Sequence, residues 1–297
     1  MSVCLTFGCS GQDAFYLANL LTRHNMQQVG ISRSIGEWIQ GDIADFHFVS
    51  GIIKQYQPAY IFHFAANSTT AHSSIYENHA AISTGTLNIL ESARLHSPRS
   101  RIFLSGSAVQ FKNTGKPINE ETLFAPSSPY AVARICSTYA GRYFRETFGL
   151  KVYIGFLFNH DSPLRTERHV NQKIAATAKR IARGSRERLV LGDPFVEKEF
   201  NFAGDIVKAM WLLVNQDNIY EAVLGSGKTH TIAEWAEACF NKMGLDLQDY
   251  LQIDYNYTAE YKRLVCNPQR IMSLGWSPRV TFQQLVNMML ENYDCRM

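Results

Sequence analysis

Tyr130 and Arg134 stand four residues apart in Pro129-Tyr-Ala-Val-Ala-Arg134, at the start of a long helical pattern, so their side chains share one helical face. Upstream, Ser105-Gly106-Ser107 closes the apolar run RIFLSGS and carries hydroxyls to the end of a strand. A phenol flanked by a cation and a serine hydroxyl can move a proton while a nicotinamide exchanges hydride with a carbinol carbon. Tyr130, Ser107 and Arg134 are therefore the candidate catalytic residues. An arginine supplies charge and donors but stays protonated, so it stands outside any proton relay. Tyr130 as a mere core aromatic is disfavoured by its Ser-Pro-Tyr context and by the serines on the preceding strand.

A second group of residues suits a dinucleotide. After the first apolar run, VCLTFG, comes Gly8-Cys-Ser-Gly11-Gln-Asp13-Ala14. Glycines there allow a tight turn and let backbone amides at the next helix N-terminus approach a pyrophosphate. Ala14 holds the third glycine place, so the motif gains its weight from its position in the first βαβ unit. Gly8, Ser10, Gly11, Gln12 and Asp13 are the expected cofactor contacts of this loop. The second strand, QVGIS, ends in Ser32-Arg33-Ser34 with no acid to hold a ribose 2′-hydroxyl, whereas Arg33 can pair with a 2′-phosphate. That favours NADP over NAD. Asp42 sits where an acid can accept from the adenine amine, and Phe64-Ala65-Ala66-Asn67-Ser68 ends the next strand with small residues beside the nucleotide.

These residues require a scaffold of alternating strands and helices. Short apolar runs alternate with helical periodicity: VCLTFG, a helix over 14–24, QVGIS, a helix over 46–56, AYIFHFAA, a helix through TLNILESARL, then RIFLSGS. A helix over 131–148 and the strand KVYIGFLF follow. The rhythm predicts an α/β fold, a Rossmann-type doubly wound parallel sheet. From 159 onward the pattern turns mixed, with helices over 173–183, 203–214, 232–243 and 282–293. The expected organisation is a dinucleotide-binding domain over 1–158 and a smaller mixed α/β C-terminal substrate lobe over 159–297, some of whose segments return to the first sheet.

The 297 residues are 46% hydrophobic and 19% charged, with a net charge of +3. That composition supports a buried core and excludes disorder. Basic residues are scattered rather than interleaved with aromatics, so nucleic acid is not an expected partner. The chain has no apolar stretch long enough to span a membrane and opens directly on a strand-like run, which predicts a cytoplasmic protein without a membrane partner. Six cysteines lie far apart with no CxxC pair, which suggests neither zinc nor disulfides. His63, His72 and His79 lack the spacing of metal ligands and read as satisfied or solvent-facing, so no metal is expected. Gly225-Ser-Gly-Lys228-Thr229 imitates the end of a P-loop, but Ala222 stands where its first glycine is required.

Several ungapped stretches resemble the GDP-mannose 4,6-dehydratases of the extended short-chain dehydrogenase/reductase class. They are the Gly8–Asp13 loop, SSPYAVAR, FLFNHDSPLRTERHVNQKI over 156–174, LGDPFVEKEFNFAGDIVKAMW over 191–211, GKTHTI from Gly227 and NPQRIMSLGWSP from Asn267. The resemblance spans nearly the whole chain, and its Asn-His-Asp-Ser-Pro segment is the most specific part. It implies that Arg33, Asp42, Ile43, Phe64, Ala65, Ala66, Ser68, Tyr130, Arg134, His160 and Arg165 line the cofactor. It also implies that Ser107, Asn159, Val170, Lys173, Lys198 and Glu260 face a nucleotide sugar, GDP-linked by the same resemblance. Family members associate through a helix pair, so a homodimer or higher homo-oligomer is expected, with the helices near Ile89 and Tyr139 as candidates.

The chain departs from that family at telling places. The family's threonine and glutamate, two apart, fall on Ser107 and Val109, or on Gly106 and Ala108 in the other register, and neither supplies a carboxylate. The family lysine is Arg134, a sugar-lobe arginine falls near Tyr257 while Glu260 is kept, and another arginine is Lys198. A long loop after the second strand is much shorter. Three readings stay open: carbon 4 redox chemistry on a nucleotide sugar with weakened dehydration or with epimerisation, reduction of a 4-keto sugar, and a homologue that binds without turnover.

Overall fold

The computed structural model describes residues 2–291. The first half alternates β1 (Val3–Phe7), α1 (Gln12–Arg23), β2 (Gln27–Ser32), β3 (Ile39–Gln40), α2 (Phe46–Tyr56) and β4 (Tyr60–His63). A helical run then passes through α3 (Ile75–Asn78), a π turn (His79–Thr84) and α4 (Gly85–His96) to β5 (Arg101–Ser107), α5 (Pro129–Phe148) and β6 (Lys151–Leu157). Seven parallel strands form the sheet, in the order β3-β2-β1-β4-β5-β6-β11, where β11 is Glu221–Leu224. The doubly wound sheet read from the sequence is thus the fold. Its central strands carry continuous apolar runs because helices cover both faces. One buried cluster holds Leu5, Ile31, Ile61, Ile102 and Ile154, and another holds Cys4, Phe62, Phe103, Tyr153 and Leu224. Adjacent residues of one strand divide between them, as period-two alternation demands.

After β6 come β7 (His160–Asp161), α6 (Val170–Ala182), β8 (Leu189–Leu191), β9 (Glu197–Glu199), β10 (Asn201–Phe202) and α7 (Ala203–Val214). Beyond β11 lie β12 (Thr229–Thr231), α8 (Ile232–Lys242), β13 (Leu251–Ile253), β14 (Arg263–Leu264), α9 (Gln269–Ser273) and α10 (Phe282–Leu290). β9 pairs with β12 and β14, and a third apolar cluster gathers Ile174, Leu191, Trp235, Phe240 and Val286.

Local chemistry sets the element ends that matter. Ser128 caps α5 by accepting from Ala131 N at 3.1 Å, and Pro129 pre-sets the first turn, which places Tyr130 at the helix start. Gly149, with φ of 67°, ends that helix. α6 starts at Val170, three residues before the expected 173, because its first turn is polar and the apolar repeat shows only from Ile174. The helical run ahead of Gly85 is longer than the sequence suggested, since no side chain caps its segments. The expected end of the last helix, residues 292 and 293, lies outside the described residues.

On the two helices named for association, Ile89 itself is fully buried, because α4 packs between α2 and α5, while Leu87, Leu95, Tyr139, Tyr143 and Phe148 are exposed. One expectation is corrected. His63 is neither solvent-facing nor well satisfied. It is fully buried with the Ile82 backbone as a weak partner at most, and burial with the nearby Arg134 charge pushes its pKa down to about 3. It is a neutral imidazole within the core.

Candidate active site

Because all seven strands run parallel, their carboxyl ends and the loops that follow meet along one edge, where α/β sheets bind ligands. Three cavities lie along it. The first, of about 370 Å³, is lined by Gly8, Gly11, Gln12 and Asp13 on one side and Ser107, Tyr130 and Arg134 on the other. The third shares Gly8, Gly11, Phe64 and Ala66 with it and extends to Ser10, Arg33, Ile43 and Ala65. The second shares only Val170 and Lys198 with the first and reaches Lys173 and Glu260.

At the catalytic corner, Arg134 is buried and its Nε donates to the Tyr130 hydroxyl at 3.2 Å, while its Nη1 donates to the Ser105 carbonyl. The guanidinium also lies over the Tyr130 ring, 5.1 Å from its centroid. Fixed donors on a phenolic oxygen stabilise charge that develops there when its proton leaves. Gln110, which sequence reasoning passed over, holds this corner. Its Oε1 accepts from Ser107 N at 2.8 Å and its Nε2 donates to Thr138 Oγ1 at 3.1 Å, tying the end of β5 to α5. A buried glutamine after a strand leaves no mark in a single sequence that separates it from ordinary core.

Across the cavity, the β1–α1 turn is bare backbone. Gly8 has φ of +85°, and a Cβ there would overlap the Ala65 backbone at the end of β4. Gln12 ties α1 to the loop after β7, donating to His160 O at 3.2 Å and accepting from Ser162 Oγ at 2.8 Å. His160 donates through Nδ1 to Phe158 O at 2.8 Å and faces Asp13 through Nε2 at 3.1 Å. Burial alone would raise Asp13, but His160 and Arg165 outweigh it and hold the carboxyl below its usual range. Burial alone would lower His160, but Asp13 outweighs it, so the imidazole is held above its usual range. Arg165 donates to His160 O at 3.2 Å and pairs with Asp161 at 3.5 Å, and Asp161 also accepts from Asn171 at 2.6 Å. Both carboxylates lining this cavity are therefore committed to ion pairs.

The third cavity gathers hydroxyls beside Arg33: Ser32 Oγ lies 3.3 Å from Ser10 Oγ and 3.0 Å from Ser34 Oγ. Ile43 joins its wall, whereas Asp42 stays exposed outside it and accepts from Ala44 N at 2.9 Å. In the second cavity Lys173 Nζ donates to Val190 O at 2.7 Å, and the Tyr257 ring packs over Gly192. Glu260 accepts a short hydrogen bond from Thr70 Oγ1, so the loop after β4 touches the segment crossing this cavity. Ser68 and Asn159 line the first cavity, and Asn159 Oδ1 is buried with no partner among the described residues. The P-loop look-alike is closed to phosphate: the buried Glu199 carboxylate accepts from Ser226 N at 2.6 Å, the amide a phosphate would need.

The sequence profile of the GDP-mannose 4,6 dehydratase family matches residues 5–289. The chain belongs to that family. It is 31% identical over 320 residues to GDP-mannose 4,6 dehydratase 2 of Arabidopsis thaliana, covering 97% of this chain and 86% of that one. It is 30% identical over 272 residues to the GDP-mannose 4,6-dehydratase of Sinorhizobium fredii, covering 83% and 78%. The fold matches that of RMD from Pseudomonas aeruginosa complexed with NADPH at a TM-score of 0.86, with 21% identity and 98% of both chains covered. It also matches the UDP-glucose 4-epimerase of Thermus thermophilus in complex with NAD, at 0.83, with 19% identity and 97% of both chains covered.

Within the GDP-mannose 4,6-dehydratase family this chain is an atypical member of a class of nucleotide-sugar enzymes. Where the family's glutamate is expected, Ala108 is enclosed in the core and Val109 is half-buried, and both line the first cavity with apolar carbon. Among the described residues lining this cavity no side chain replaces that carboxylate, since Asp13 and Asp161 are already paired.

Proposed function

We propose that this chain binds NADP and a GDP-linked sugar and exchanges hydride at carbon 4 of that sugar. One observation carries the reading: the bare β1–α1 turn and the Tyr130 hydroxyl, bonded to Arg134, face each other across one cavity. A dinucleotide suits the cleft because Gly8 and Gly11 clear a path for a pyrophosphate at the α1 N-terminus. Arg33, with Ser10, Ser32 and Ser34, offers charge and hydroxyls to a ribose 2′-phosphate. When bound, the nicotinamide supplies and accepts hydride. Tyr130 takes the carbon 4 hydroxyl proton during oxidation and returns it during reduction. Arg134 steadies the phenolic oxygen while it is charged, and Ser107 is placed to orient the sugar oxygen. Residues 1–158 serve the cofactor and 159–297 mainly the nucleotide sugar, with Asn159, Val170 and Lys173 on the sugar side.

The absence of a free carboxylate in the first cavity favours a second reading, reduction of a 4-keto sugar, which needs no proton removed at carbon 5. The exposed Leu87, Leu95, Tyr139 and Tyr143 on α4 and α5 support self-association through that face.

Purified protein incubated with GDP-mannose and NADP+ should show nicotinamide absorbance near that of NADPH together with a 4-keto product. With a GDP-linked 4-keto-6-deoxy sugar and NADPH it should show loss of that absorbance. Binding of both ligands with neither change would mark a homologue without turnover, and failure to bind any pyridine dinucleotide would refute the proposal outright.

A further inference from the structure

The first cavity has one wall of carbon. Ala108, Val109, Phe158 and Leu264 line it and belong to a single apolar cluster of the core, three of them buried and Val109 half-buried. Ala108 and Val109 directly follow Ser107, so the wall begins beside the catalytic corner. Its backbone is committed as well: the Ala108 carbonyl accepts from Phe111 N at 3.3 Å, and the Val109 carbonyl from Ser127 Oγ at 3.1 Å. Ser68 and Thr70 after β4 and Asn159 after β6 bring polar side chains to the same cavity from other elements. A hydroxyl buried against carbon without a partner is unfavourable, whereas a methyl group gains from the contact.

We infer that Ala108, Val109, Phe158 and Leu264 select the sugar at carbon 6, accepting a methyl group there and rejecting a hydroxymethyl group. The inference rests on the reading that carbon 4 of a nucleotide sugar sits at Tyr130 and Ser107. Carbon 4 has two ring neighbours. Carbon 3 of a hexose carries a hydroxyl directly, and carbon 5 carries the carbon 6 branch, so only on the carbon 5 side can the ring set carbon against carbon. A carboxylate in this wall would give a carbon 6 hydroxyl its partner; Val109 offers none. The substrate is then a sugar that already lacks its carbon 6 oxygen, and the work left to Tyr130 lies at carbon 4 alone. Carbon 4 takes hydride from NADPH while its oxygen takes the Tyr130 proton, which turns a carbonyl into a hydroxyl and leaves NADP+; Tyr130 regains its proton from water. The substrate must be supplied by a separate reaction that eliminates the carbon 6 oxygen as water and leaves a carbonyl at carbon 4. The selection is bounded, because a hydrophobic site rejects an added hydroxyl by about 10²-fold.

GDP-mannose and GDP-6-deoxymannose differ only in the carbon 6 hydroxyl, so their relative affinity reads the wall directly. Titration calorimetry of the full chain loaded with NADPH measures binding alone, because neither sugar has a carbonyl to accept hydride. Wild type should bind GDP-6-deoxymannose about 10- to 100-fold more tightly than GDP-mannose. Val109→Thr keeps the shape of the side chain and adds a hydroxyl, and Ala108→Ser places one beside it. At least one of the two should bring the ratio down by about threefold or more, the effect of one new hydrogen bond. A disturbed fold weakens both sugars alike, so the ratio isolates the wall. Equal affinities in wild type, a preference for GDP-mannose, or a ratio that neither substitution moves overturns the inference and leaves the proposed function in place. Failure of both sugars to bind overturns the two together.

Discussion

The Arg134 guanidinium bonds at once to the Tyr130 hydroxyl and the Ser105 carbonyl, so the cation beside the phenol is also a fastening between α5 and the end of β5. Tyr130→Phe removes the proton carrier and keeps the ring beneath the guanidinium. Turnover should fall by about 10²–10⁴-fold, with NADP affinity unchanged in a fluorescence titration. Unaltered turnover would take Tyr130 out of the mechanism.

Arg134→Lys keeps a cation that reaches the same oxygens and regains a group able to pass on a proton. Hydride transfer should equal or exceed wild type in a stopped-flow trace, with the fold retained by circular dichroism. A fall would show that the planar fork itself is required.

Arg33 is the single cation among three serines in the third cavity. Arg33→Ala should weaken NADP binding by about 10- to 100-fold, the range of one charge-assisted hydrogen-bond pair, and leave NAD binding nearly unchanged. Parallel titrations with the two cofactors read the difference, and equal losses for both would deny Arg33 the 2′-phosphate.

The Asp13–His160 pair predicts a pH window for stability. Asp13 is held below its usual 3.8, so its contribution is complete above that value and fades as acid protonates it in the folded state. His160 is held above 6.5, so its contribution is complete below 6.5 and fades as pH rises through its raised folded value. The melting temperature of wild type minus that of Asp13→Asn should therefore peak between about pH 4 and 6.5, where the pair is worth about 1–3 kcal/mol. A difference flat across pH 3–9 would mean the pair is electrostatically idle.

Val109 lines the first cavity at a place where the family resemblance expects a carboxylate. Val109→Glu should raise exchange of the carbon 5 hydrogen into deuterated water by about 10²-fold, the low end of general-base help. Mass spectrometry of the recovered sugar reads it, and no gain would put the missing base in another register.

The sheet was legible because each strand is a continuous apolar run between helical repeats, and the turn after β1 because Gly8 sits where only glycine fits. Tyr130 and Arg134 were legible from a spacing of four and a Ser-Pro start. The Asp13–His160 and Thr70–Glu260 contacts join residues 147 and 190 positions apart, and no local periodicity records such pairs. The burial of Ile89 was illegible for a similar reason: the helix repeat shows an apolar stripe but not which neighbour covers it. Lys198 was legible only through the family resemblance; its place on the wall between two cavities emerges once the fold brings them together.

Gly8 lies against the peptide of Ala65, backbone upon backbone, where β1 and β4 end side by side. The floor of the cleft thus has no tolerance for ornament: even one methyl group there would prise the two strand ends apart and fill the groove from beneath. Substitution at position 8 should accordingly be the quietest way to disarm this chain, since it spares every reacting side chain and evicts the helper molecule they depend on.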